Sequence, residues 1–514
     1  MNRERTDIES RRVVTRYLIA CAVAYGLLRY GGVLTNAFLY PSLASGFGLA
    51  REVATGVGAL MNLLIALISF YRPQLLRTRV LAGLAIGFSI MALACALAGC
   101  SNGSFVLLAA SAVCRAAGQA LCYVLLAFCL FNLENPKQVA LAIAFGLLVT
   151  CALSAMKPLV SGLAVAATIS ALIPVAVALW ALPAARELLS VVRAGDPVID
   201  LKLADPNAFI PVSHSFFVCA LLFSAASGFA LSFNEVDAAP IPLRLEAPLI
   251  VMLLAYVGMA RSRKREDSLF ALSFMLVIAG YLATPFSFET SYTATSGTLL
   301  RFGSECFEVL IWTSLVQIGR RNVYGFISSV GVARLFMNVG TIVGVTLGRL
   351  TNGFGGDGVF MATVFANAMV FAFFCFLWCG FRTFSFTDTI QGVTTVSHPV
   401  SEGDVQGEAL LAGEAPVGGE APENPVEQAK QHDAAMDIDE RCARISKERG
   451  LTPRESEIFV MMAHGRNGRY VQDYYTISRN TAKSHIKHIY TKLDVHSHQE
   501  LIDLAEGKQV SDSE

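Results

Sequence analysis

Six charged residues stand inside stretches of the chain that are otherwise apolar: Arg29, Arg115, Arg301, Glu305, Glu308 and Arg334. A charge held in hydrocarbon is costly, so such residues face a bundle interior or a watery cavity. Arg301, Glu305 and Glu308 follow at i, i+4 and i+7, which puts all three on one helix face. By the same rule Arg115 shares a face with Gln119, and Arg334 with Asn338. These eight residues can bind an anionic or polar small molecule, or they can pair among themselves and hold the bundle together. A second chemistry lies near the C-terminal end. Between Arg466 and Lys492 six basic residues meet one acid, Asp473, for a net charge of +5. Basic side chains at that density suit phosphate, and their affinity for nucleic acid falls with salt.

The elements that carry these residues differ sharply in solvent. The chain has 514 residues, is 54% hydrophobic and 16% charged, against about 25% charged in a soluble domain. Nearly all the apolar runs lie in residues 1–382, and nearly all the water-soluble character in 401–514. A spanning helix needs about 20 mostly apolar residues. Such segments fall near 14–37, 53–70, 80–100, 104–131, 138–156 and 160–182, then near 211–234, 243–260, 268–286, 295–318, 325–350 and 358–381. The pattern predicts an all-α protein with a polytopic membrane domain over 1–384, built as halves 1–182 and 211–384. An acidic linker over 385–445, a C-terminal domain over 446–507 and a tail over 508–514 complete the expected layout.

Orientation is read from Lys and Arg in the loops. With a cytoplasmic N-terminus, nineteen of them lie on the inside and only Arg51, Lys157, Arg244 and Arg349 outside. Twelve spans then leave both termini in the cytoplasm of a cell with an inner membrane. The linker carries eleven acids and one lysine over residues 401–440, too polar to order itself. A tether of about sixty residues reaches roughly 40–45 Å. Eleven of the twelve cysteines lie in apolar stretches without paired spacing and read as buried thiols. His496 and His498 lack the further ligands a metal needs. No nucleophile–base pair, metal cluster or phosphate loop is evident, so neither an enzyme nor a cofactor is expected.

Thr452, Pro453 and Glu455 form a capping-box start to a helix whose buried stripe is Ile458, Met461 and Met462. Gly465 ends it, a short helix spans about 468–475, Thr476-Ile477-Ser478 turns, and further helices cover about 479–493 and 497–506. Two helices across a tight turn, the second one basic, are the geometry of a DNA-reading unit. Leu451, Thr452, Arg454, Glu455, Gly465, Ile477, Ser478, Thr481, Lys483, His485, Lys492, Leu493 and Val495 fall at the fixed distances of the LuxR-type helix-turn-helix, which this segment closely resembles. Ala482, Asp494 and Gly468 replace the pattern's valine, glycine and asparagine. The resemblance implies that Lys483, Ser484 and Lys487 meet base edges of double-stranded DNA, and that Ser478, Arg479 and Thr481 hold phosphate. His488 is kept as a further DNA candidate, and His485 is expected to pack internally. Leu501, Ile502 and Leu504 correspond to the family's dimerisation surface, or simply complete the core.

The two blocks of six spans resemble the major facilitator superfamily, whose first, fourth, seventh and tenth helices line a central cavity. Arg29, Arg115 and the Arg301–Glu308 set fall on three of those helices; the seventh contributes Ser224, Ser227 and Asn234, and Arg334 lies on the eleventh. The superfamily's acidic and glycine positions between helices two and three are absent from 67–79, although the basic ones remain. The resulting expectation is a membrane-anchored one-component regulator, whose membrane domain senses a small effector while a C-terminal homodimer binds DNA. A transporter with a fused DNA-binding domain is the alternative.

Overall fold

A computed structural model of the chain describes residues 2–194, 209–211, 214–232, 243–259, 265–284, 293–353, 358–380, 385–393, 438–464, 479–495 and 498–506. Its ordered elements are helical throughout, without a strand among the described residues. The chain separates into a membrane unit ending at Val396 and a C-terminal unit beginning at Ser397.

Among the described residues the membrane unit has twelve long helices. Helix α1 (Asn2–Leu34) continues through a π-helical turn, Thr35–Leu39, into Tyr40–Leu43. There follow α2 (Ala50–Tyr71), α3 (Thr78–Asn102), α4 (Phe105–Phe131), α5 (Pro136–Ala155) and α6 (Leu163–Ala194). The second half holds α7 (Ser215–Ser232), α8 (Leu243–Met259), α9 (Arg265–Ala283), α10 (Thr293–Arg321), α11 (Val323–Gly353) and α12 (Gly358–Gly380). Among the described residues nine helices are long and apolar enough to cross a membrane, and the apolar parts of α8 and α12 are shorter. The remaining helix, α10, falls short because Arg301, Glu305 and Glu308 lower its hydropathy. This is a multi-pass membrane domain.

The halves repeat each other. Pairing of α1 with α5, α3 with α4 and α3 with α6 recurs as α7 with α11, α9 with α10 and α9 with α12. The halves meet through α2 on α11 and α8 on α5, which is one contact with the halves exchanged. Two of these seams bring backbone against backbone. A Cβ at Gly26 of α1 would stand 2.6 Å from the Gly146 carbonyl of α5. On α11 the Gly340-x-x-x-Gly344 pair does the same, a Cβ at Gly344 falling 2.0 Å from the Ala225 carbonyl of α7. Small residues four apart are how helices approach closely where lipid removes the hydrophobic drive.

One expected boundary needs correction. The segment 385–445 reads as linker throughout, yet it contains a docked helix at its start, α13 (Phe386–Gly392), and most of another at its end, α14 (Ile438–Glu448). Short helices of few turns are stabilised by packing rather than propensity, and neither shows a long apolar run in the sequence. The acidic residues 401–437 between them lie outside the described residues.

Among the described residues the C-terminal unit holds α14, α15 (Pro453–Ala463), α16 (Arg479–Leu493) and α17 (His498–Glu506). Cys442, Ile458, Phe459, Met462, Ile489, Leu493 and Leu501 form its core. Gly450 ends α14 at φ 63°, while the Leu451 amide bonds back to the Ser446 carbonyl at 2.9 Å. That is a Schellman close.

Candidate ligand cavity and DNA-reading helix

The cavity is built where α1, α4, α7, α10 and α11 converge. Its volume is about 460 Å³, within the range of about 300–1,000 Å³ typical of small-molecule sites. Seven of the eight expected residues line it: Arg29, Gln119, Arg301, Glu305, Glu308, Arg334 and Asn338. Ser224 and Ser227 line it from α7; Asn234 lies outside the described residues. Arg115 is the exception. It sits behind Gln119, donating from Nη1 to Gln119 Oε1 at 2.7 Å, and lines a separate space of only about 10 Å³. The same amide donates from Nε2 to the Leu28 carbonyl of α1 at 3.3 Å.

Arg29 is the centre of the charge network. Its Nη2 donates to Glu305 Oε1 at 3.1 Å, and its Nη1 donates to Glu308 Oε2 and, at 3.4 Å, to the Tyr25 hydroxyl. Arg334 Nη1 stands 3.9 Å from Glu308 Oε1. Its guanidinium lies 3.9 Å from the Tyr123 ring centroid, a cation–π contact. Thus α1 and α11, from opposite halves, both meet the carboxylates of α10. Local spacing offered Glu305 a partner on its own helix; the cross-bundle partner Arg29 lies 276 residues away in sequence.

Several lining residues escape the charge-based reading: Asn36, Tyr123, Lys157 and Ser304. Tyr123 was discoverable, because it lies four residues beyond Gln119 and so shares its face. Asn36 was discoverable by the same rule, seven residues beyond Arg29; it stands in the π-helical turn Thr35–Leu39, and such turns are common at functional sites. Lys157 follows α5, at the bundle end opposite the start of α1, and the cavity therefore reaches toward that end.

Polar bonds also join the halves at the other end. Arg320 Nη1 donates to the Glu134 carbonyl at 2.7 Å, and its Nη2 to the Phe131 carbonyl at 3.3 Å. Phe131 also packs on Phe326 with centroids 5.1 Å apart. At the Lys157 end, Arg349 of α11 pairs with Glu52 of α2 at 2.9 Å.

In the C-terminal unit, Thr452 and Glu455 form the expected capping box, the Thr452 amide donating to Glu455 Oε2 at 2.9 Å. Glu455 does more than cap. Lys492 Nζ of α16 donates to the same oxygen at 2.7 Å and to the Gly450 carbonyl at 3.1 Å. These bonds, that of Lys492 foremost, pull the Glu455 carboxyl down to about 2. The pair fixes the third helix of the motif onto the first.

Helix α16 carries Arg479, Thr481, Lys483, Ser484 and Lys487, whose side chains lie outside the described residues, as do Ser478, Gly465 and the short helix expected over 468–475. Ile489 and Leu493 on α16 are buried, and Lys483, Ser484 and Lys487 occupy register positions away from that stripe. His488 is exposed, its Nδ1 3.7 Å from Glu455 Oε1, beyond hydrogen-bond range. His485 is half-buried. Asp494 adopts φ 59°, the left-handed position where the family pattern has glycine, and the Val495 amide closes onto the Tyr490 carbonyl at 3.1 Å. Leu501 is a correction: it is fully buried among Ile458, Phe459 and Leu493, so it completes the core rather than offering a dimer surface. Ile502 and Leu504 are half-exposed on the same helix.

Comparison with known proteins agrees with this geometry in the C-terminal unit. Residues 449–505 match the family of bacterial regulatory proteins, luxR family. An uncharacterized response regulatory protein, YgeK of Escherichia coli (strain K12), is 40% identical over 70 residues, 14% of this chain and 48% of that protein. The chain thus spans about half the length of this curated relative. Among solved structures the membrane unit is similar to the human organic anion transporter MFSD10, at 14% identity and TM-score 0.49, over 71% of this chain and 98% of that one. The E. coli fucose:proton symporter FucP is similar at 13% identity and TM-score 0.46, over 70% and 98% of the respective chains. Residues 449–505 are a LuxR-type helix-turn-helix, a DNA-binding transcription-regulatory module. It is joined here to a multi-pass helical bundle.

Proposed function

We propose that this protein is a membrane-anchored one-component transcription regulator whose bundle binds an anionic or polar small molecule and thereby sets the activity of the attached helix-turn-helix. One observation carries the reading: Arg29, Glu305, Glu308 and Arg334 form a charge cluster on the wall of a cavity large enough for a metabolite. A cluster serving only as glue would be expected to close on itself without leaving that space. The loop bias supports a cytoplasmic placement of both termini, which puts the reading helix beside the chromosome. DNA is bound as a homodimer, with Ile502 and Leu504 on the surface that the LuxR resemblance assigns to pairing.

A cavity that reaches toward one end of the bundle also suits uptake, and this favours the transporter alternative. One experiment separates the two. Promoter occupancy by the full-length protein is mapped across the genome in the wild type, Arg29→Ala and Glu308→Gln, and uptake of the compounds handled by the bound genes is measured in the same strains. A regulator changes occupancy in the variants without any wild-type uptake. Uptake in the wild type that the variants abolish overturns the sensor reading.

A further inference from the structure

Helix α13 lies between the last span and the acidic tether, and it is held to the end of the bundle where α1 begins. Asp267, in the first turn of α9, accepts three hydrogen bonds from it: Ser385 Oγ at 3.0 Å, the Phe386 amide at 2.8 Å and Thr387 Oγ1 at 2.8 Å. Arg321 at the end of α10 donates to the carbonyls of Gln391 at 2.9 Å and Val393 at 3.1 Å. Phe386 is fully buried, its ring 5.7 Å from Phe216, 5.4 Å from Phe270 and 6.2 Å from Phe307. Ile390 and Val393 are buried with it.

A seven-residue helix is unstable alone, so its helicity depends on these contacts. Docked and helical, or released and unfolded, are therefore the two states open to it. Phe307 couples that choice to the cavity. It precedes Glu308 on α10, lines the cavity, and stacks on Phe223 at 4.2 Å with the rings 4° from parallel. The same ring meets Phe386. A displacement of α10 caused by a ligand at Glu305 and Glu308 changes the seat of the exit helix, because packed rings have discrete arrangements rather than continuous ones.

We propose that residues 385–393 are an intramolecular clasp, docked between α9 and α10, whose release transmits the state of the cavity to the tethered DNA-binding domain. The part of this that concerns the cavity rests on the sensor reading; the clasp itself rests on the docking contacts.

The test uses the full-length protein in nanodiscs and hydrogen–deuterium exchange over 386–393, with promoter occupancy in cells as the second readout. Asp267→Asn weakens the polar tie, Phe386→Ala empties the aromatic seat, and Glu308→Gln perturbs the cavity without touching the clasp. Exchange over the segment is expected to rise about tenfold or more in the first two variants, with a changed occupancy pattern, and to shift measurably in Glu308→Gln. Release of the segment with unchanged occupancy overturns the proposal. So does unchanged exchange in both clasp variants, or exchange that ignores Glu308→Gln while occupancy responds to it. The sensor reading fails separately, if occupancy ignores Arg29→Ala and Glu308→Gln yet still responds to Asp267→Asn. Thermal melting of each variant in detergent identifies one that has lost its fold, and the remaining clasp variant then carries the test.

Discussion

Lys492 and Glu455 stand 2.7 Å apart and lock the DNA-reading helix onto the capped first helix of the C-terminal domain. The LuxR pattern names both residues without saying that they touch. Glu455→Gln keeps the shape but removes the charge, and is expected to cost the 438–514 fragment about 1–2 kcal/mol in thermal or denaturant unfolding. The pH dependence has a definite sign. The carboxyl is lowered from 4.5 to about 2, so its stabilisation is complete above pH 4.5 and is lost as pH falls toward 2. In Glu455→Gln that part of the acid sensitivity should vanish.

Asp494 occupies a left-handed backbone position that glycine adopts without strain. Asp494→Gly should therefore raise the stability of the fragment by up to about 1 kcal/mol, and Asp494→Val should lower it. Melting temperatures of the three proteins decide the matter.

Binding to random-sequence duplex DNA isolates the phosphate contribution of the reading helix. Each of Arg479→Ala and Lys487→Ala should weaken the fragment, and a residue that neutralises one phosphate should reduce the salt slope by about 0.9. Base reading shows instead as selectivity: Lys483→Ala is expected to cost about 1–3 kcal/mol on the promoter sites found by mapping, and far less on random DNA.

Removal of Arg29 takes one charge partner from each of Glu305 and Glu308, while Arg334 stays 3.9 Å from Glu308. Arg29→Ala should destabilise the purified bundle by about 1–3 kcal/mol, the cost of removing one partner from a buried charged hydrogen bond. Arg29→Ala combined with Glu308→Ala should cost less than the sum of the single changes, a coupling that thermal unfolding of the four proteins in one detergent measures directly.

The glycine seam gives a sharper contrast. Gly344→Leu forces a side chain into the Ala225 carbonyl and should abolish monodisperse folded protein in size-exclusion chromatography. Gly56→Ala meets nothing within 4 Å on α2 and should leave the profile unchanged.

What the sequence reveals follows from the range of the interaction that determines it. Twelve apolar runs predict the twelve helices to within a few residues, apart from α1 and α6, which extend well beyond theirs, because burial in lipid is decided locally. The capping box at Thr452 is equally local. Cavity residues were legible through their charge: Arg29, Arg301, Glu305, Glu308 and Arg334 are too expensive in lipid to stand there idly. Which carboxylate Arg29 meets was not legible, since the pairing depends on how two halves close on each other. The same holds for Leu501, an apolar residue on an amphipathic helix that suits a core and a dimer surface equally well. Helix α13 escaped notice because its stability comes from Asp267, Arg321 and Phe307, all distant in sequence.

Arg29 and Glu308 are separated by 279 residues of chain. During synthesis at about 5–20 residues per second, the tenth helix emerges on the order of 15–60 s after the first. For that interval the first helix must reside at the membrane with its guanidinium unmatched by either carboxylate. The tenth, too polar to partition strongly on its own, enters against a partner that is already in place. Biogenesis of the bundle is thus ordered by charge, and its last-made half is received by the first.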